Sequence, residues 1–158
     1  IYYPEHSTSY HGEQIGITTY YMAKLQEALL KEKPVLHYRN FEYKLFEKKF
    51  GKTLGKSIYS EWSDKEIPEK KIDKLNKKIE KEWDEFTESL RKITMPPQAI
   101  EHILESFEAP NRNSAIGWKN DIFLDGMANA HFIRNRFTFL DIAFYTNKRE
   151  DFYKSLLD

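Results

Sequence analysis

Between about Glu69 and Thr94, the residues Ile72, Leu75, Ile79, Trp83, Phe86, Leu90 and Ile93 recur at steps of three or four. At 3.6 residues per turn, such steps stack on one side of a helix. The segment therefore predicts a rod with a single apolar stripe and charged flanks. Lysines dominate its early turns and acids its later ones, the reverse of what the helix dipole favours. Packing of the stripe must then hold the rod. A coiled coil is one way to cover it, but three heptads are a marginal length, so packing against a core is the expectation.

The same periodicity recurs along the chain, while the alternation of a half-buried strand is nearly absent. From Gly12 to about Lys31, Ile15, Thr19, Met22, Leu25 and Leu29 share a face, and Pro34 ends that helix. Residues 41–50 group Phe41, Leu45, Phe46 and Phe50; Gly51 and Gly55 are expected to break this segment, leaving "SIYSEWSD" as a short element or loop. Pro97 can open a helix at its first turn, with Ile100, Ile103, Leu104 and Phe107 as its buried face. "APNRNSAIG" reads as a loop, and a further helix starts near Trp118. Thr138 and Asp141 have capping-box spacing, which makes "TFLDIAFY" a separate helix. A last helix is expected over about Lys148 to Leu157. The sum is one all-α domain over residues 1–158, with six to eight helices.

Several functions are disfavoured at once. Twenty-five basic and 25 acidic residues give a net charge of zero, and no basic patch stands out, so no nucleic-acid partner is expected. No apolar run approaches the roughly 20 residues of a membrane span. There is no cysteine, which excludes disulfides and thiolate metal sites. That fits a reducing compartment, and a cytoplasmic location is expected. The sequence holds no Gly-rich phosphate loop, no G-x-S-x-G elbow and no strand–turn–helix nucleotide unit. It opens on Ile1 rather than Met, so a piece of a longer or processed polypeptide is expected.

Two stretches can carry chemistry. In "PEHSTSYHGEQIG", His6 and His11 are five apart. On one helix that spacing is poor for sharing an ion, although a loop before the helix can bring them together. The alternative is a plain helix start, in which Glu13 complements the dipole and Ser7 or Ser9 caps. In "HFIRNRFTFLD", Arg134 and Arg136 alternate with aromatic residues. A guanidinium fork suits phosphate oxygens; it suits equally a pairing with Asp141 or with the acidic face of another helix. His37, His102 and His131 are expected to be exposed or hydrogen-bonded.

Three segments in order resemble one enzyme family. "HGEQIGITTYYMAKL" (residues 11–25) resembles the second histidine segment of sn-glycerol-1-phosphate dehydrogenases. These belong to the larger group of glycerol dehydrogenase, iron-containing alcohol dehydrogenases and 3-dehydroquinate synthase. "WDEFTESLRKITMPPQAIEHILESFEAP" (83–110) looks like the late helix pair of that family, and "GMANAHFIRNRFTFLDIA" (126–143) like its closing segment. The resemblance covers most of the chain and constrains residues 38–71 only loosely.

The resemblance implies an enzyme in two parts. An N-terminal α/β domain binds NAD(P), a helical C-terminal domain follows, and a divalent metal held by one Asp and two His lies between them. The metal is usually zinc, with nickel or iron in relatives; it polarises the substrate hydroxyl and assists hydride transfer to the nicotinamide. By this resemblance His11 matches the second histidine ligand, and His6 stands in a similar "EHS" setting at a shorter interval. On this reading Arg134 or Arg136 is expected to help with substrate phosphate or with helix packing. The metal-binding Asp and the nucleotide domain have no counterpart in these residues. The expectation is the metal- and substrate-binding helical domain of a polyol-phosphate dehydrogenase, inactive alone, whose partner is the missing nucleotide-binding domain or subunit. Two ligands hold a catalytic metal poorly, since such sites usually use three. The alternative is a degenerate, non-enzymatic helical module for protein–protein contact or homo-oligomer formation.

Overall fold

A computed structural model describes residues 9–148 and 150–157, with eight α-helices, two 3-10 turns and no strand among them. The helices are α1 (His11–Leu30), α2 (Tyr43–Phe50), α3 (Lys52–Ser63), α4 (Glu69–Arg91), α5 (Pro97–Ser106), α6 (Asn120–Asn129), α7 (Phe139–Tyr145) and α8 (Glu150–Lys154). The 3-10 turns are Asn113–Ile116 and Ala130–Ile133. The expected all-α class holds, and no described helix is long and apolar enough to cross a membrane.

Helix α1 is the central strut. It packs on α5 and α7, and Ile17, Tyr21, Leu25 and Leu29 bury its inner face against Phe123, Leu124 and Leu140. At Gly16 the approach to α5 is so close that an added Cβ would lie 2.8 Å from Leu104 Cδ2. A second core gathers Phe46, Trp62, Phe132, Phe144 and Tyr145, with Leu36, Ile58, Ile67 and Ile72. Helix α7 joins the two cores. Leu140 and Ala143 belong to the first, and Phe144 and Tyr145 to the second. Tyr145 also ties in two loops: its hydroxyl accepts from the Ile67 N–H at 2.8 Å, and its carbonyl accepts from the His37 N–H at 2.7 Å.

Three expectations change. "SIYSEWSD" belongs to a 12-residue helix, α3, that runs straight through Gly55. Gly51, at φ +78°, does separate α2 from α3, because only a residue without a Cβ takes that angle cheaply. Gly55 has a different task. It is buried, and a Cβ there would sit 2.7 Å from the Phe46 carbonyl oxygen and 2.9 Å from its carbon. Its missing side chain lets the two helices touch backbone to backbone. Gly55→Ala is expected to destabilise by about 1–3 kcal/mol despite its better helix propensity, read as a lower urea midpoint.

The second change is at α5. Ile100 and Leu104 pack on the core as expected, whereas Ile103 and Phe107 face solvent, Phe107 at 81 % exposure. Helical spacing gives four candidates for a face, and the position of α1 selects two. The third is at α1, whose buried face turns: Ile15 and Thr19 are exposed, and Ile17, Tyr20 and Tyr21 take the inner side with Leu25 and Leu29. The N-cap is Tyr10, not a serine; the Glu13 carboxylate accepts from the Tyr10 N–H at 2.7 Å, and Ser9 Oγ accepts from Gln14 Nε2 at 3.1 Å. Glu13 thus plays its expected helix-start part.

Candidate functional site

His6 lies outside the described residues. His11 is the first residue of α1 and is exposed. Among the described residues, no three His, Asp or Glu side chains lie close enough to hold a metal ion. By themselves the described residues therefore supply one imidazole and not a metal site, and no chemical step is derived through a metal. His37 and His102 are exposed, as expected.

Arg134 and Arg136 stand in the segment between the second 3-10 turn and α7. Both side chains are exposed, and neither forms an ion pair with another described residue. Asp141, offered by the sequence as a possible partner for them, is taken by Lys65. The Lys65 ammonium lies 2.7 Å from Asp141 Oδ1, with the two side chains 4 % and 0 % exposed. The same ammonium donates to the carbonyl of His131 and, at 3.2 Å, to that of Arg136. Two carbonyls accept protons from this ammonium, and the Asp141 carboxylate pairs with its charge. The other carboxylate oxygen of Asp141 accepts from the Thr138 N–H at 2.6 Å and from Thr138 Oγ1 at 2.8 Å, which caps α7. One buried carboxylate therefore starts α7 and holds the lysine. That lysine in turn ties down both ends of the arginine-bearing segment. Chemically this amine is fully engaged, which makes it an anchor and not a nucleophile.

His131 departs from expectation. It is buried, and neither ring nitrogen completes a hydrogen bond with a described residue. Its ring lies 3.8 Å from that of Phe132, 4.8 Å from Phe144 and 5.8 Å from Trp62, centroid to centroid. Burial pushes its pKa down from 6.5 to about 3, and the nearby Lys65 and Arg39 cations push the same way; the Ala128 backbone works against them. The imidazole is neutral at physiological pH and serves as an aromatic ring. The buried Trp62 Nε1 beside it also finds no hydrogen-bond partner among the described residues.

A groove of about 660 Å³ runs beside α4. Leu75, Ile79, Trp83 and Phe86 form one wall, and Ile67, Phe137 and Ile142 form the facing one. Lys71, Lys78, Glu66 and Glu82 stand among its lining residues. The apolar stripe read from the sequence is thus only partly covered. Ile72 and Trp83 are buried, but Phe86 remains 47 % exposed and Ile93 81 %. On its body side α4 packs Ile72, Leu75 and Ile79 against the second core and adds polar ties. Asn76 exchanges two hydrogen bonds with the Leu36 backbone (2.8 and 2.9 Å), and Lys33 pairs with Glu80 at 3.1 Å.

Sequence reasoning placed Asp141 as a cap and missed Lys65 altogether. Nothing in "WSDKEIP" distinguishes that lysine from the other charged residues around it. Its partner is 76 residues away and its role exists only in the folded chain. No family model, no curated protein and no solved structure matches this chain.

Proposed function

We propose that these residues form the metal- and substrate-binding helical domain of a metal-dependent, NAD(P)-linked polyol-phosphate dehydrogenase. The nucleotide-binding half belongs to polypeptide outside these 158 residues. The observation that carries the proposal is the segment from His131 to Asp141. Its backbone is pinned by the buried Lys65–Asp141 pair, while two guanidiniums are left exposed and free of ion pairs with described residues. Rigid backbone with unengaged guanidiniums is the arrangement that phosphate recognition requires. His11, exposed on the first residue of the central helix, is positioned to give one ligand to a metal completed by other residues.

The test is a pair of NMR titrations of the 158-residue chain. With glycerol 1-phosphate, amide shifts are expected around residues 134–136. Arg134→Gln and Arg136→Gln are each expected to weaken binding by about tenfold, the worth of one charge-assisted contact. With zinc, the His11 imidazole is expected to shift, and His11→Ala to remove the effect. Absence of any phosphate response at 134–136 overturns the proposal. A second reading, a non-enzymatic helical module for protein contact, is favoured by the half-covered stripe of α4.

A further inference from the structure

We propose that α4 and its groove form a homodimer interface, in which two copies of α4 pair antiparallel across a two-fold axis. Helix α4 presents Leu75, Ile79 and Phe86 to the groove, and Phe86 stays half exposed. Apolar surface gathered in a cleft of this kind, rimmed by charge, is what association covers.

The charge pattern selects the occupant. In residues 69–80, five lysines face three acids, a net charge of +2. In residues 81–91, Lys81 and Arg91 face four acids, a net charge of −2. The two halves are thus equal and opposite. Along the groove side of α4 itself the order is the same: Lys71 and Lys78 come first, then Glu82, with the exposed Glu85 following, while Asp64 and Glu66 line the groove ahead of the helix. This order works against the helix dipole within one chain. Laid antiparallel on a second copy, it sets the basic half of each helix on the acidic half of the other. A parallel pairing would set like on like. A two-fold axis crossing near Glu80 and Lys81 also brings Leu75 of one copy to Phe86 of the other. An isologous interface must be self-complementary, and a helix antisymmetric in charge about its own middle meets that condition. Within one chain Lys78 reaches Glu82 only at 3.6 Å, with both side chains largely exposed, so both remain available to the second copy.

The experiment is sedimentation velocity over a concentration series of the 158-residue chain, with circular dichroism to check folding. Wild type is expected to dimerise, more weakly at high salt. Two double variants reverse exposed charges only: Lys71→Glu with Lys78→Glu, and Glu82→Lys with Glu85→Lys. Each is expected to weaken self-association by at least about tenfold, because every reversal acts twice across the axis. An equimolar mixture of the two variants is expected to restore dimers, which shows that both remain folded. A wild-type chain that stays monomeric to about 1 mM overturns the proposal. So does a dimer unchanged in both variants, which would place the contact on another surface.

Discussion

Asp141→Asn is expected to cost the fold about 3–5 kcal/mol, a large part of the stability of a domain this size. The substitution keeps the shape of the side chain and removes its charge. It leaves the Lys65 ammonium, 4 % exposed, without a counter-charge. It also weakens the cap that Thr138 makes with the carboxylate, which adds about 1 kcal/mol. The damage spreads because Lys65 also holds the carbonyls of His131 and Arg136. Urea unfolding followed by tryptophan fluorescence is the measurement, since Trp62 lies beneath the ammonium, 5.8 Å from ring centroid to nitrogen. The double variant Lys65→Met, Asp141→Asn is expected to recover most of the loss, because replacing both charges removes the unpaired ion. Equal stability of the single and double variants would show that the charge pair contributes nothing beyond the cap.

Acid is expected to unfold the domain through His131. In the native state its pKa lies near 3, against 6.5 for the exposed side chain, because burial and the Lys65 and Arg39 cations disfavour the charged ring. The unfolded chain therefore binds a proton that the folded chain refuses. Full stability holds above about pH 6.5 and is lost progressively as pH falls toward 3. Between about pH 7.5 and pH 4 the loss from this one group amounts to about 3 kcal/mol. His131→Phe keeps a ring against Phe132, Phe144 and Trp62 and has no proton to take up. Its urea midpoint should fall less steeply over the same range than that of wild type. Parallel curves for the two proteins would mean that His131 is protonated in the folded state.

How far the sequence could be read differs from helix to helix. Helices α1, α4, α5 and α7 stand where spacing, proline and the Thr138–Asp141 pattern put them, because those signals are local. Helix α3 was hidden by Gly55. In one dimension a glycine signals a break; in three it is the place where α2 lies against α3 and no Cβ fits. The α5 face was half right for a related reason. Period alone cannot say how wide a strip its neighbour covers.

The candidate site divides in the same way. Arg134, Arg136 and His11 were legible as residue types at positions of interest, and all three are exposed. Lys65 and the burial of His131 were not legible. A lysine among many exposed lysines and a histidine beside an aromatic run look ordinary until the chain folds.

By itself, the sequence determined the helical class, the position of the α7 cap and the amphipathic stripe of α4, because each depends on residues within a few turns of one another. Tertiary structure alone decided which charges are buried, that Asp141 serves Lys65 and not an arginine, and that the α4 stripe is left half uncovered above a groove. Those outcomes depend on desolvation and on contacts between residues far apart in the chain, and no local pattern carries that information.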